Sequence, residues 1–200
     1  MLLQTSRVSW RLAFETATEH YGEDFMTEVY ALPRRRLADW IPEGARVIDI
    51  GCGSGRVARL VAERAEAVVG VDRNADHIRL ARGYPNPTNV SYRLGDADQE
   101  LDGEYDLALV IHLLEHLDDP DAFLTRLRSI ARQVIVEVPD FRADALNIAR
   151  LELGADFSSD ADHVREYTPS ILADQLARNG WTVSDWSEGY TSFAALAVAS

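Results

Sequence analysis

Cysteine and long apolar runs are the features this chain has least of. Its single cysteine, Cys52, excludes an internal disulfide and fits a reducing compartment. No apolar run approaches the roughly 20 residues of a membrane-spanning helix. The first residues lack the sustained apolar region and the cleavage site of a signal peptide. We therefore expect a cytoplasmic protein that does not enter a membrane.

Positive charge is also scarce. The chain has 20 lysine and arginine residues against 33 aspartate and glutamate residues, so its formal net charge is −13. Affinity for phosphate polyanions comes mainly from clustered lysine and arginine, and this balance therefore argues against binding to nucleic acid or to anionic membranes. We expect a small-molecule partner, and a monomer or a homodimer.

The chain does contain enough apolar sequence for one core. Two hundred residues with 46% hydrophobic content suit a single domain over 1–200. Apolar and aromatic residues at helical spacings predict a helical cap over 1–42. Over 43–200, short apolar runs alternate with helix-like patterns, which predicts an α/β fold of parallel strands covered by helices.

Apolar periodicity and turn residues set the expected boundaries. The predicted strands are 46–50, 67–71, 89–94, 105–111, 132–138, 181–186 and 193–199, and the predicted helices are 54–64, 75–82, 121–130, 142–153 and 169–178. A polar acidic loop is expected over 154–162. The short connection between the last two strands predicts an antiparallel hairpin.

A glycine-rich turn follows the first strand. Alternating Gly51, Gly53 and Gly55 come directly after a buried-type run that contains Asp49. Glycine lets a ligand lie almost against the main chain, so the turn predicts a cofactor site. The dinucleotide pattern G-x-G-x-x-G differs in spacing, and a carboxylate aimed into the turn repels a pyrophosphate. This carboxylate favours a cofactor that carries positive charge or amine donors.

A second acid supports this interpretation. Asp72 ends the second apolar run about twenty residues after the turn, which is the spacing expected for recognition of a nucleoside ribose. A third acid, Asp96, follows the next strand. Because ligands of open α/β sheets bind at the carboxyl ends of the strands, we expect these acids to converge at one edge.

With these motifs the chain resembles class I S-adenosylmethionine-dependent methyltransferases, in particular the branch of ubiquinone-biosynthesis and secondary-metabolite enzymes. The resemblance runs from about Val47 to Pro139 and continues more weakly from His163 to Trp181. It implies a Rossmann-like, mostly parallel seven-stranded sheet with helices on both faces and an antiparallel C-terminal hairpin. It also implies S-adenosylmethionine as the cofactor and direct methyl transfer to an oxygen, nitrogen or carbon nucleophile.

The resemblance also assigns roles to residues. Asp72 matches the acid that binds the ribose hydroxyls, Arg73 borders the adenine, and Asp96 with Ala97 meets the adenine amino group. The remaining expected cofactor residues are Asp49, Gly51, Cys52, Gly53, Gly55, Ile111 and His112. Ile111 departs from relatives that often carry a small polar residue beside the methionine part of the cofactor.

Three histidines and one tyrosine are candidates for the acceptor side. His116 and His112 follow the fourth strand, where neutral imidazole could remove a proton from a substrate hydroxyl. We favour a structural hydrogen-bonding role for His116 and a cofactor-lining role for His112. For His163 the alternatives are substrate contact and loop anchoring, and for Tyr21 they are packing in the cap and facing the cleft.

The segment from His112 to His116 also matches H-x-x-E-H, a pattern of inverted zinc peptidases. That site needs a long helix and a later carboxylate ligand, whereas this segment leaves a strand and soon reaches Pro120. We therefore expect no metal.

Two other functions remain as alternatives to methyl transfer. One is a non-catalytic cofactor-binding regulatory module, and the other is a nicotinamide-dependent oxidoreductase, which Asp49 and the glycine spacing disfavour.

Overall fold

The computed structural model describes residues 37–96, 101–143, 147, 163–189 and 191–200. Seven strands, β1 to β7 in chain order, occupy Arg46–Ile50, Ala67–Asp72, Val90–Leu94, Tyr105–Ile111, Ala131–Pro139, Trp181–Glu188 and Ser192–Ala199. Each predicted strand is present. The predicted ends differ by no more than two residues from the observed ends.

The seven strands form one sheet in the order β3-β2-β1-β4-β5-β7-β6. β1 to β5 are parallel, and β7 is antiparallel to both β5 and β6. The mostly parallel sheet and the antiparallel C-terminal hairpin predicted from the sequence are thereby confirmed. The strand order reverses between β1 and β4, and this is where an open α/β sheet forms a crevice at the carboxyl ends of its strands.

Of the helices whose two ends lie in the described residues, four are α-helices that cover the sheet: α1 at Arg56–Val61, α2 at Ala75–Gly83, α3 at Pro120–Leu127 and α4 at Pro169–Arg178. Side-chain oxygens of the capping residues Asn74, Asp119 and Thr168 accept backbone N–H groups at the starts of α2, α3 and α4. Proline occupies the first position of both α3 and α4, where its missing N–H has no helical partner to lose.

Two predicted helices are shorter in the structure. The helix predicted over 54–64 is limited to α1 because Gly55 lies in the left-handed region, with φ of 75°, and turns replace the helix after Val61. The helix predicted over 121–130 ends at Leu127, where the N–H groups of Ser129 and Ile130 form turns to Arg126 and Leu127. In both cases a local turn replaces regular helix.

The core lies on both faces of the sheet, because successive residues of a strand point to opposite sides. On one face, Ile48 and Ile50 of β1 pack in a cluster with Phe123 of α3, Leu172 of α4 and Trp181. The other face buries another set with α1 and α2: Val47, Leu107, Leu109, Ile111, Ala58, Val61 and Ile78. This two-sided burial explains the near-continuous apolar runs of the parallel strands.

Some predicted features lie outside the described residues. These are Tyr21 and nearly all of the cap, Ala97, most of the helix predicted over 142–153, and the acidic loop over 154–162. A short 3-10 helix, Phe141–Ala143, begins the described part of that region. Among the described helices, none combines the length and apolarity that crossing a bilayer demands.

Candidate functional site

The glycine-rich turn is tied to the end of the neighbouring strand. The N–H groups of Gly51 and Cys52 both donate to the Val71 carbonyl, at 2.8 and 3.0 Å. This backbone contact places the turn beside Asp72 at the carboxyl edge of the sheet. The predicted convergence of the first two motifs is therefore present in the structure.

The three glycines of the turn serve different purposes. All three have positive φ angles, which explains why glycine is favoured at each position. A Cβ atom at Gly51 would lie 3.2 Å from the Leu113 side chain, and a Cβ atom at Gly55 would overlap the phenol of Tyr92. At Gly53, a Cβ atom would meet no described atom within 4 Å. Gly53 is therefore the glycine that leaves open space for a ligand, while Gly55 accommodates Tyr92.

Asp72 joins the turn to the following helix. Its Oδ2 accepts the Gly53 N–H at 2.8 Å, and its Oδ1 accepts the Asn74 N–H at 2.8 Å. The Nδ1 of His77, on α2, lies 3.3 Å from Oδ1. The carboxylate is nearly buried, yet its oxygens keep lone pairs for further donors. Asp72 thus holds the turn in place and can still bind hydroxyl groups.

Asp49 and Cys52 are both buried next to the glycines of the turn. Asp49, in β1, is 2% exposed. Burial, with the nearby charges of Asp49 and Asp72, raises the pKa of the Cys52 thiol far above its usual range. Cys52 therefore stays a thiol and packs as a small buried side chain rather than acting as a nucleophile.

The expected adenine-side residues lie beyond Asp72. The N–H of Gly95 donates to the Asp72 carbonyl at 3.0 Å, which places Asp96 at the same edge as Asp72. Asp96 is half-buried and Arg73 is exposed. Both stay predicted adenine-side residues, and Ala97 is outside the described residues.

At the end of β4, His112 is held between two buried glutamates. Its Nδ1 lies 3.3 Å from Glu115 Oε1 and its Nε2 lies 3.3 Å from Glu137 Oε1. Burial alone would lower the pKa of His112, but hydrogen bonds and negative charge from both glutamates outweigh burial and raise the pKa to about 9. The ring is therefore protonated at neutral pH and has no lone pair for accepting a proton.

The backbone of His112 is also unusual. Its φ of 51° makes it the one non-glycine residue with a positive φ in the described part of the chain. Its N–H donates to the Glu137 carbonyl at 2.9 Å, so pairing with β5 continues one residue past β4. The preceding residue, Ile111, is buried in the core cluster that packs against α1 and α2. Strain of this kind is concentrated at functional sites.

The geometry does not form the inverted zinc peptidase site. Only a short 3-10 helix, Leu114–His116, follows β4, so the segment lacks the long helix that would align the two histidines. Both ring nitrogens of His112 face glutamates, whereas the ring of His116 packs edge-on against the ring of His163, with centroids 5.0 Å apart. His112 and His116 therefore do not face one ion together, as the two histidines of that pattern would.

His163 reaches this place because its segment, residues 163–167, is fastened to the turn after β4. The Val164 N–H donates to the Glu115 carbonyl at 2.9 Å. The Arg165 guanidinium donates to three backbone carbonyls, those of Leu117 at 2.6 Å, Asp118 at 3.1 Å and Leu114 at 3.3 Å. We call residues 163–167 the strap and residues 112–118 the β4 turn.

The far end of the strap is fixed as well. Tyr167 is almost fully buried, its carbonyl accepts the Phe141 N–H at 3.0 Å, and its backbone pairs with Asp140 after β5. The Tyr167 hydroxyl donates to Gln175 Oε1 on α4 at 2.7 Å. The strap is therefore held at both ends, and this brings His163 beside His116, 47 positions earlier in the sequence.

Sequence reasoning missed two residues of this region, Glu137 and Arg165. A charged residue inside the apolar run of β5 was a signal for Glu137, because glutamate is rarely buried without a partner. Ser192, at the start of β7, also donates to Glu137 Oε1 at 2.8 Å. No comparable local signal marked Arg165, since its carbonyl partners become neighbours only in the folded chain.

Comparison with known proteins supports the same family. A family model described as a methyltransferase domain matches residues 21–185. A ubiquinone biosynthesis O-methyltransferase from Pseudomonas aeruginosa is 34% identical over 92 residues, which cover 41% of this chain and 40% of that protein. The corresponding enzyme from Acinetobacter baylyi is 28% identical over 106 residues, 47% of this chain and 44% of that protein. The matches thus span less than half of these relatives.

Solved structures show the same fold. Magnesium protoporphyrin IX methyltransferase from Synechocystis, solved with bound S-adenosylhomocysteine, superimposes with a TM-score of 0.64 at 21% identity, covering 86% of this chain and 82% of that one. A methyltransferase from Aquifex aeolicus described as dependent on S-adenosylmethionine gives a TM-score of 0.64 at 18% identity, with 84% and 90% covered. At these identities the likeness concerns the fold.

Proposed function

Because this chain belongs to the methyltransferase-domain family, we propose that it transfers a methyl group from S-adenosylmethionine to a small-molecule acceptor. The family predicted from the sequence is confirmed, since the family model spans residues 21–185. The observation that carries the proposal is the turn between β1 and α1, which Asp72 holds with open space above Gly53.

The cofactor fits the charges and the spaces at this edge. We assign the two ribose hydroxyls to Asp72, whose oxygens have lone pairs to spare after binding Gly53 and Asn74. We assign the adenine to Arg73 and Asp96, and, on the sequence alone, to Ala97. Asp49, buried next to the turn, favours the ammonium and sulfonium groups, and it disfavours a pyrophosphate.

When bound, the sulfonium cofactor supplies a methyl group that an in-line nucleophile can take directly. The protein's contribution is to hold the reactants together and to exclude water from the site. Orientation of this kind can lower the activation barrier by roughly 7–11 kcal/mol. A dedicated base is therefore optional, which agrees with a protonated His112 that lines the cofactor site beside Ile111.

The acceptor side is assigned to the β4 turn and the strap. His163 contacts the acceptor, Tyr21 is a further candidate from the cap, and His116 supports the wall of the pocket rather than acting as an essential base. The names of the curated relatives favour an oxygen nucleophile, with nitrogen and carbon as alternatives. A small molecule remains favoured over nucleic acid because of the net charge of −13. We further propose that the protein is cytoplasmic and is a monomer or a homodimer.

Ligand binding tests the proposal before any acceptor is known. S-adenosylmethionine and S-adenosylhomocysteine should raise the melting temperature, because a ligand selective for the folded state stabilises it by mass action. Calorimetry should give one site per chain for either nucleoside, with NADH as the matched comparison. Tight binding of NADH without binding of S-adenosylmethionine at millimolar concentration would favour the oxidoreductase and overturn the assignment.

A further inference from the structure

We propose that Glu115, His116 and His163 bind one divalent transition-metal ion, with zinc as the best match. A carboxylate oxygen of Glu115 and one ring nitrogen of each histidine lie within 4.8 Å of one another. Two imidazole nitrogens and one carboxylate oxygen form a donor set suited to zinc, cobalt or nickel rather than to magnesium or calcium, which prefer oxygen ligands. From the sequence no metal was expected, because the segment from His112 to His116 lacked a long helix and a later carboxylate ligand; only the structure brings His163 beside Glu115 and His116.

The buried carboxylate of Glu115 is a second, independent sign of a ligand. Its side chain is 1% exposed, and its Oε2 has no hydrogen-bond partner in the described part of the chain. An uncompensated buried carboxylate oxygen is costly, so such groups are usually satisfied by a donor or by a cation. A metal ion bound by Glu115 would compensate this oxygen.

The groups around the cluster would orient the ligands. Glu115 Oε1 already lies 3.3 Å from His112 Nδ1, which leaves Oε2 as the atom available to an ion. Glu166 Oε1 lies 3.6 Å from His163 Nδ1, so the Nε2 of His163 is the nitrogen for coordination. Metal-binding histidines commonly turn their second ring nitrogen toward a carboxylate, which fixes the orientation of the ring.

The backbone that carries the three ligands is rigidly joined. The hydrogen bonds from Val164 and Arg165 fasten the strap to the β4 turn directly beside Glu115 and His116. Donors around tetrahedral zinc are roughly 3.4 Å apart, given metal–ligand distances of about 2.0–2.2 Å. The three donor atoms lie within 4.8 Å of one another and therefore need to approach by at most about 1.4 Å, a change that side-chain rotations can supply.

Three protein ligands leave a fourth position for water or for an oxygen atom of a small molecule. The ion would also link the strap to the β4 turn, across two segments that are far apart in sequence. This site does not depend on the cofactor assignment, because all three ligands lie outside the glycine-rich turn. Metal binding and cofactor binding can therefore be tested separately.

The test is a metal titration of the full chain after treatment with a chelator and dialysis. Zinc chloride is added in competition with a chromophoric chelator, and cobalt chloride is added in a parallel experiment that reads the visible absorption of a tetrahedral ion. The variants are Glu115→Gln, His116→Gln and His163→Gln. The matched control is His77→Gln, which removes a histidine of α2 that lies beside Asp72.

We expect wild type and His77→Gln to bind one zinc ion per chain, and each ligand variant to raise the dissociation constant at least about 100-fold. Less than one equivalent in wild type at saturating zinc would overturn the proposal, as would wild-type affinity in either histidine variant. Circular dichroism and stabilisation by S-adenosylhomocysteine verify folding. If Glu115→Gln misfolds, His163→Gln decides the matter, because its ligand comes from the separate strap.

Discussion

The two halves of the cleft are built by different means. The cofactor half comprises the glycine-rich turn with Asp49 and Asp72. Its parts are held by backbone groups and by the Asp72 carboxylate, which lie close in sequence or on adjacent strands. The acceptor half comprises the β4 turn, Glu137 and the strap, and side chains from distant segments hold it together.

This difference separates what a fold supplies from what one chain adds. Backbone hydrogen bonds and positive-φ glycines give the cofactor half a shape that recurs wherever the strand, turn and helix recur. The chemistry of the acceptor half depends on which side chains fill the β4 turn and the strap. Changes in the two halves should therefore have separable effects, and the following experiments test that separation.

The largest effect is the loss of stability expected for Gly55→Ala. This variant tests whether Gly55 is needed to accommodate Tyr92 rather than to make room for the ligand. The new methyl group would overlap the buried, hydrogen-bonded phenol of Tyr92, and the residue would keep a left-handed backbone. We expect the free energy of unfolding to fall by about 3 kcal/mol, measured by denaturant titration. Gly83→Ala, at the open end of α2, is the control and should be neutral or slightly stabilising. Equal stability of Gly55→Ala and wild type would contradict the role given to Tyr92.

Asp72→Ala should have the next largest effect. The change removes the acceptor for Gly53 and Asn74 and the proposed acceptor for the ribose, so the affinity for S-adenosylhomocysteine should fall by roughly 1–3 kcal/mol in calorimetry. The control is Asp76→Ala, which removes an exposed carboxylate one turn away and should bind as wild type does. An unchanged dissociation constant in folded Asp72→Ala would remove Asp72 from the cofactor half.

Gly53→Ala should weaken cofactor binding, while its loss of stability should be no larger than that of its control. Its methyl group would enter the open space above the turn, and we expect at least a tenfold weaker dissociation constant, about 1.4 kcal/mol. Gly44→Ala is a matched control, because Gly44 also has a positive φ and open space but lies outside the turn. Both variants should lose about 1 kcal/mol of stability. Equal affinity in the two variants would show that the space above Gly53 is not the cofactor site.

The smallest effect concerns the helices that support the strap. Burial raises the pKa of Asp121, but hydrogen bonds from Gln175, Asn179 and Arg178 outweigh burial and lower the pKa below its usual value. The stabilisation of the fold by the ionised Asp121 carboxylate is therefore present above the unfolded-state pKa of about 3.9. It is lost as the pH falls through the lower pKa of the folded state. Because Asp121 is half exposed, the contribution is at most about 1 kcal/mol.

Denaturant titrations between pH 2 and pH 7 measure this contribution. The stability difference between wild type and Asp121→Asn should be full near pH 6 and should decrease as the pH falls below about 3.9. Affinity for S-adenosylhomocysteine should be the same in wild type and in Asp121→Asn. Weaker binding of S-adenosylhomocysteine by Asp121→Asn would mean that the two halves of the cleft are coupled.

Much of the fold could be read from the sequence because parallel strands are buried on both faces. The runs that became β1 and β4 were predicted with their observed ends, since apolar residues stop where the chain leaves the core. Helix ends were less predictable. The helix expected over 54–64 became the shorter α1, because the positive φ of Gly55 and the turns after Val61 were decided by neighbours such as Tyr92 and Asn89.

By itself, the sequence determined the family, the order of the strands along the chain, and the acids and glycines of the cofactor half, because those features are local patterns along one stretch of chain. Only the tertiary structure decided that Gly55 accommodates Tyr92, that His112 lies between Glu115 and Glu137, and that Arg165 brings His163 to His116. The physical reason is distance along the chain. Contacts between residues that are tens of positions apart leave no periodicity or spacing in the sequence, and they exist only once the sheet has brought those residues together.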